Sequence, residues 1–200
     1  MGEEKQKIKE FMNEKYNKNI DYYKNLLSEK LEEFKDYDDV TIINPIKFVH
    51  YIECALKKAE LIEIYNVNGF FTITREDKPT IFYDKNLDIS KLRYVLMHEA
   101  AHKLILDDMR LELEKKFKTN LQGMVFDLVA ANGEIETEDN EIENACNEFA
   151  SEALMPQNSF TNYYLNLMQE YSFEDRVQKC AEYFGAEEKL VKERIEELKL

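Results

Sequence analysis

The segment His98-Glu99-Ala100-Ala101-His102 carries residue types and a spacing that suit metal chemistry. Two histidines four positions apart lie on one face of an α-helix, about 6 Å apart along its axis, so both imidazoles can bind one metal ion. Glu99 then flanks that metal. The spacing is typical of zinc hydrolases, and it predicts a Zn²⁺ site with His98 and His102 as ligands.

The residues around this motif favour a helix in the protein core. Residues 92–106 are rich in helix formers, lack Gly and Pro, and are apolar nearly all round, with Asp88 or Ser90 as a helix cap. Polar side chains in the middle of such a helix are costly to bury without partners. A bound metal would supply these partners, whereas a surface helix with two chance histidines would not need them.

A third ligand has to come from another part of the chain, because a catalytic zinc site usually has three protein ligands and one open position. Residues 141–156 have apolar side chains at helical spacing, and Pro156 ends the pattern. Glu143 and Asn147 lie one turn apart on this predicted helix and share a face. We expect Glu143 to bind the metal and Asn147 to accept a hydrogen bond from a ligating imidazole.

Three stretches resemble the ImmA/IrrE-type metallopeptidases, which share the gluzincin arrangement of two histidines and a downstream glutamate. Residues 93–106 are similar to the family's helix of zinc ligands, and residues 143–156 to its E-x-x-A-N-x-F-A-x-x-L-L-M-P segment. Residues 180–195 are similar to its closing pair of helices. The resemblance spans about residues 40–200 and implies a zincin-like metallopeptidase fold.

Carried over by position, the resemblance implies that His98, His102 and Glu143 bind Zn²⁺. It implies that Glu99 is the catalytic base, which takes a proton and later passes it to the leaving amine. Asn147 falls on the position that supports a ligating histidine. A tyrosine would suit the oxyanion, but the sequence does not choose among Tyr83, Tyr163 and Tyr164.

Two features depart from the family pattern. Cys146 stands where the family usually has Ala, and residues 107–138 are longer than the family's connection between the two motif helices. We interpret Cys146 as a small buried residue rather than as a fourth ligand, because a fourth protein ligand would close the site to water.

The resemblance implies a zinc-dependent endopeptidase that acts in regulatory proteolysis, with a repressor protein as substrate. Two other functions stay open. One is a non-catalytic, zinc-containing regulator that binds a transcription factor, and the other is a narrow-specificity peptidase or toxin. The presence of Glu99 favours catalysis, because a site without chemistry has little need for a base beside an open metal position.

Composition limits the partners and the compartment. The net charge of −14 repels phosphate backbones, so we expect no direct nucleic-acid binding and a preference for basic proteins, such as a basic repressor. No apolar run approaches the ~20 residues of a membrane span, and the N-terminus is too charged for a secretory signal. The three widely spaced cysteines indicate reduced thiols and a cytoplasmic protein.

The pattern of elements predicts a mainly helical α+β domain over residues 1–200, with an N-terminal helical segment, 1–38, and a C-terminal helical pair, 172–200. We expect this pair to pack on the core rather than to read DNA, because glutamates crowd its second helix. A small antiparallel sheet should lie beside the zinc helix, with its last strand, 80–84, at a free edge where a substrate peptide can pair. The other predicted elements are one long helix or two over 3–35, helices at 45–58, 89–106, 109–118 and 140–155, strands at 60–67, 70–74 and 80–83, and an unassigned apolar stretch at 124–131.

Overall fold

The computed structural model describes residues 20–38, 40–74, 78–117 and 140–200, and these residues are mostly helical with a three-stranded sheet. This is the α+β class that the sequence predicts. The helices are α1 (Ile20–Asp38), α2 (Pro45–Tyr51), α3 (Leu61–Tyr65), α4 (Ile89–Phe117), α5 (Asn140–Leu154), α6 (Gln157–Leu167), α7 (Phe173–Phe184) and α8 (Glu188–Leu198). The strands are β1 (Ala55–Ala59), β2 (Gly69–Ile73) and β3 (Pro79–Asp84).

The sheet is mixed rather than purely antiparallel. Strand β3 lies in the centre, parallel to β1 and antiparallel to β2. The predicted strands near β2 and β3 are confirmed. The predicted strand at 60–67 is wrong, because the chain forms β1 just before it and then the short helix α3.

A single buried carboxylate accounts for the helix at α3. Asp84, at the end of β3, is almost fully buried. Its Oδ2 accepts hydrogen bonds from the backbone N–H groups of Leu61 (2.7 Å) and Ile62 (2.8 Å). The first N–H groups of a helix have no partner within it, so Asp84 satisfies them from across the sheet. This tertiary contact outweighs the β propensity of the local sequence.

The central position of β3 shows that the predicted free edge at 80–84 is wrong, since β3 is paired on both sides. In the described sheet, β2 is the edge strand beside α4. The N–H of Asp84 donates to the carbonyl of Asn68 (2.9 Å), and the N–H of Thr74 donates to that of Lys78 (3.0 Å). The even-numbered residues of β2 therefore bond to β3, and the backbone groups of Gly69 and Phe71 face away from β3, with the N–H of Phe71 donating to the carboxyl group of Glu99.

Helix α4 is longer than the sequence predicted. Asp88 caps it, with its Oδ1 accepting from the N–H of Lys91 (3.0 Å) and its carbonyl from the N–H of Leu92 (2.9 Å). The separate helix predicted at 109–118 is wrong, because α4 continues without Gly or Pro to Phe117. The predicted apolar stretch at 124–131 lies outside the described residues.

Helix α2 is shorter than predicted, and helix α1 is described only in part. The helix predicted at 45–58 begins at Pro45 but ends at Tyr51, because Glu53 takes a left-handed conformation (φ 57°) before β1 begins. The predicted N-terminal helix at 3–35 is described only from Ile20 onwards. Its described part buries four side chains against the core, Tyr23, Leu27, Leu31 and Phe34.

The core forms where α4 and α5 pack against each other, with α1 across both. The fully buried side chains of these two helices include small ones, Ala100 and Ala101 on α4 and Ala150 and Ala153 on α5. Small side chains let two helices approach closely. Close approach is what lets side chains from both helices meet at one point.

The C-terminal pair α7–α8 packs on this core through Val177, Leu190, Val191 and Ile195. Gly185 ends α7 with φ 62°, a conformation that favours glycine, and the guanidinium of Arg93 from α4 lies beside it. Arg93 also donates a hydrogen bond to the carbonyl of Phe184 (3.3 Å).

No helix in the described parts of the chain is long and apolar enough to cross a membrane.

Candidate metal centre

Three side chains from α4 and α5 converge on one point. The Nε2 atoms of His98 and His102 are 3.1 Å apart, and they lie 3.3 Å from different carboxylate oxygens of Glu143, Oε2 for His98 and Oε1 for His102. Ligand atoms at the corners of a tetrahedron with bonds of ~2.0–2.1 Å are about 3.3 Å apart. Two imidazole nitrogens and a carboxylate whose ligand atoms lie within 4.8 Å of one another can supply three ligands of one zinc ion.

Helix geometry places these side chains. His98 and His102 lie one turn apart on α4, with ring centroids 4.8 Å apart and ring planes at 71° to each other. Glu143 reaches the two rings from α5, which packs beside α4. Within the residues that the structure describes, this is the one group of three His, Cys, Asp or Glu side chains close enough to share a metal ion.

The second nitrogen of each imidazole faces a neighbour on α5. His98 Nδ1 lies 2.9 Å from Asn147 Oδ1, and the hydroxyl of Tyr94 donates to the same oxygen at 2.7 Å. His102 Nδ1 lies 3.7 Å from the sulfur of Cys146. When Nε2 binds a metal, the proton of a neutral imidazole sits on Nδ1 and needs an acceptor. Asn147 is such an acceptor, and Cys146 faces the back of His102 rather than the ligand atoms.

Glu99 lies beside the cluster and is 9% exposed. Burial raises the pKa of its carboxyl, while the charges of His102 and His98 and the backbone N–H of Phe71 oppose that rise. A glutamate pKa that is shifted towards neutrality suits a group that takes up and releases protons near pH 7.

The pKa values of the cluster shift in opposite directions. Hydrogen bonds from His102 and His98 hold the pKa of Glu143 well below its usual range. Burial lowers the pKa of His98, but its hydrogen bond to Glu143 and the negative charge of Glu99 outweigh burial and raise it overall. Both shifts favour the charged forms of Glu143 and His98 as an ion pair, and metal binding displaces any proton that His98 carries.

A cleft of about 670 Å³ opens beside His98 and Glu99. The turn before β2 forms one wall, α8 forms the other, and α4 forms the floor. Its lining includes Asn66, Val67, Asn68, Gly69, Lys91, Tyr94, Val95, Asn147, Glu187, Lys189, Leu190 and Glu193.

Gly69 allows β2 to lie close to α4 at this cleft. A Cβ at Gly69 would lie 2.5 Å from Cγ1 of Val95 and 3.0 Å from the carbonyl oxygen of Phe82. No other residue fits this space without a shift of the strand or the helix. The free edge of β2 therefore lies next to Glu99 because residue 69 has no side chain.

Sequence reasoning missed Tyr94 as a residue of the site. Of the three tyrosines considered from the sequence, Tyr164 is buried in the core and Tyr163 stacks on Tyr183 with centroids 4.1 Å apart, and neither they nor Tyr83 line the cleft. Tyr94 lines it instead. The sequence spacing could have identified Tyr94, since it precedes His98 by four residues and shares its helical face.

Residues 61–196 match the IrrE N-terminal-like domain, a peptidase family. The matched range includes α4, α5, the whole ligand cluster and both walls of the cleft. No curated protein matches the chain.

Proposed function

Because the chain belongs to the family of IrrE N-terminal-like peptidases, we propose that it is a zinc-dependent endopeptidase that hydrolyses a peptide bond in a regulatory protein. The family match makes it a metallopeptidase-type domain, for which a protein or peptide is the implied substrate. One observation carries the proposal further. His98, His102 and Glu143 offer ligand atoms within 4.8 Å of one another, beside a buried glutamate at the floor of an open cleft.

His98, His102 and Glu143 are the proposed metal ligands. Bound Zn²⁺ supplies a Lewis acid that polarises a carbonyl and makes water more acidic. Two imidazoles and one carboxylate leave one position of a tetrahedral ion open, as a catalytic site requires. The Cys146 sulfur supports this interpretation, because it lies behind His102, at Nδ1, rather than among the converging atoms.

Glu99 is the proposed general base. Its position immediately after His98 places the carboxylate at the floor of the cleft, where it can take a proton from the attacking water. The same carboxyl group then passes that proton to the leaving amine. The raised pKa of Glu99 helps the second transfer, because the protonated form persists closer to neutral pH.

The free edge of β2 is the proposed binding site for the substrate backbone. Gly69 lines the cleft next to Glu99, and its backbone N–H and carbonyl face away from β3. An extended peptide can add to such an edge by main-chain hydrogen bonds that do not depend on its sequence. This assignment replaces β3, which has no free edge.

We infer a basic substrate, such as a DNA-binding repressor, from charge. The chain carries a net charge of −14, and Glu187 and Glu193 lie on the α8 wall. Lys91 and Lys189 also line the cleft, and Lys189 forms an ion pair with Glu193 (3.5 Å), so the inference rests on the net charge of the chain rather than on the cleft walls. Electrostatic attraction of this kind raises the association rate at low salt. The buried free thiols of Cys54, Cys146 and Cys180 support a cytoplasmic location.

The test uses a synthetic peptide library with randomised positions, and an intact basic repressor, as substrates. Zinc-loaded protein is incubated with each, and mass spectrometry identifies new termini. Glu99→Gln is the matched control, because it keeps the shape and the metal ligands but removes the base. A second control adds a chelator.

We expect products from the zinc-loaded protein and none from Glu99→Gln or the chelated sample. If zinc-loaded protein binds the repressor but neither substrate gives products, the peptidase proposal is wrong. That result would favour the non-catalytic regulator, whose binding would not depend on Glu99. Cleavage of short peptides without cleavage of the repressor would favour a narrow-specificity peptidase.

A further inference from the structure

Tyr94 connects to the metal cluster through one intermediate residue. Its hydroxyl donates to Asn147 Oδ1 at 2.7 Å, and the same oxygen lies 2.9 Å from His98 Nδ1. Tyr94 and His98 are one turn apart on α4, with ring centroids 6.2 Å apart, whereas Asn147 is on α5. The three groups therefore bridge the two helices at the point where they hold the metal ligands.

The orientation of the Asn147 amide decides whether His98 can bind a metal. With Oδ1 towards His98, the imidazole proton stays on Nδ1 and Nε2 offers a lone pair. With the amide turned round, its NH₂ group would donate to Nδ1 and place the imidazole proton on Nε2, where it blocks metal binding. Oδ1 has two lone pairs and can accept from both His98 and Tyr94 at once.

We propose that Tyr94 is a positioning residue for the metal site, acting through Asn147. Its hydroxyl holds the amide with Oδ1 towards His98, so that Nε2 of His98 points at the metal. The inference rests on the proposed metal site but not on hydrolysis. The proposed role belongs to the hydroxyl group of Tyr94, because a phenylalanine ring would fill the same space without that oxygen.

The two histidines are supported unequally, which makes this contact important. His98 has an amide oxygen at 2.9 Å, whereas His102 has only the sulfur of a buried cysteine at 3.7 Å. Sulfur is a weak acceptor. The orientation of the two imidazole rings by neighbours other than the metal therefore depends mainly on the Asn147 contact, and on the Tyr94 hydroxyl that bonds to Asn147.

The experiment is a double-mutant cycle with Tyr94→Phe, Asn147→Ala and the double variant. The zinc dissociation constant of each is measured by competition with a chromogenic chelator at one pH. Loss of a partner of a ligating histidine typically costs about 10–100-fold in metal affinity. We expect Asn147→Ala to fall in this range and Tyr94→Phe to reach about its lower end, tenfold.

The double variant separates positioning from packing. If Tyr94 acts through Asn147, the double variant binds zinc as Asn147→Ala does, with no further loss. If the two losses multiply, or if Tyr94→Phe binds zinc as tightly as the unmodified protein, the proposal is overturned. Tyr163→Phe is the matched control, since Tyr163 stacks on Tyr183 away from the cluster, and we expect it to leave zinc affinity unchanged.

A second readout excludes general damage to the fold. The melting temperature of each metal-free variant is compared with that of the unmodified protein, and the proposal requires a zinc effect in Tyr94→Phe without an equivalent loss of stability. Zinc affinity does not depend on turnover. A protein that shows this pattern of affinities but hydrolyses no substrate would refute the proposed function and leave the role of Tyr94 intact.

Discussion

The two sides of the cleft are built from different parts of the chain. On the α4–α5 side, side chains hold the site: His98, His102 and Glu143 converge, and Asn147 contacts His98 from behind. On the β2 side, the backbone groups of Gly69 face away from β3, and the missing side chain of Gly69 keeps this edge strand close to α4. The proposed metal ligands and the proposed peptide-binding edge therefore lie on separate elements, and substitutions should be able to change metal affinity without changing peptide binding, and the reverse.

The largest expected effect is on the α4–α5 side. His98→Ala and Glu143→Ala each remove one of three proposed ligands, so each should lose more zinc affinity than the ~100-fold upper range for an outer partner. Zinc per chain after dialysis, measured by atomic emission, checks this. Glu148→Ala is the matched control, because it removes an exposed carboxylate from helix α5, which also carries Glu143. The carboxylate of Glu148 pairs with Lys24 (2.8 Å) and not with the histidines. Stoichiometric zinc in both ligand variants would show that the ligand assignment is wrong.

Glu99→Gln should separate chemistry from metal binding. A positioned general base typically contributes about 10²–10⁴-fold, so hydrolysis should fall by that factor while zinc content and the circular dichroism spectrum stay unchanged. Turnover of a peptide identified from the library provides the measurement. Full activity in this variant would remove Glu99 from the mechanism.

Asn147→Ala should weaken zinc binding by about 10–100-fold, less than loss of a ligand, because the His98 imidazole loses its acceptor but keeps Nε2. A chelator competition measures the dissociation constant. Unchanged affinity would mean that the Asn147 contact does not orient His98.

Gly69→Ala tests the β2 side. The added methyl would lie 2.5 Å from Val95, and overpacking of this kind typically costs about 1–3 kcal/mol in the free energy of unfolding. We expect this loss of stability and weaker substrate binding, because the strand has to move away from α4, but unchanged zinc affinity. Thr72→Ala is the control, since Thr72 lies on the opposite face of β2. A loss of zinc in Gly69→Ala would show that the two sides are not separable.

The smallest expected effect concerns stability and pH in the metal-free protein. Burial raises the pKa of Glu99, so the folded state binds its proton more tightly than the unfolded chain. This contribution makes the folded state less stable as pH rises from the ordinary glutamate value of 4.5 through the raised value. Glu99→Gln should remove that loss and be more stable than the unmodified protein at pH 7. Denaturant unfolding at pH 4 and pH 7, with chelator present, measures the difference.

The fold class, the components of the site and two of the three strands could be predicted from the sequence, but strand β1 and the order of the sheet could not. The helices around His98 and Glu143 have strong apolar periodicity, which local sequence carries. The sequence 60–67 has strand propensity and still forms a helix at α3, because Asp84, 22 residues beyond Ile62, binds its N-terminus. Strand β1 has no such propensity, and its pairing with β3 is what makes it a strand. The single-domain organisation over residues 1–200 stays a prediction.

The sequence by itself determined which residues share a face. His98 and His102, and likewise Glu143 and Asn147, are four residues apart, and the 3.6-residue turn of a helix puts each pair on one side. The tertiary structure decided what those faces meet. Only the packing of α4 on α5 places Tyr94 against Asn147 and Cys146 behind His102, and only the sheet pairing leaves β2 rather than β3 with an open edge. Local periodicity sets directions within one element, whereas contacts between elements depend on side-chain volumes and hydrogen-bond partners that are distant in the chain.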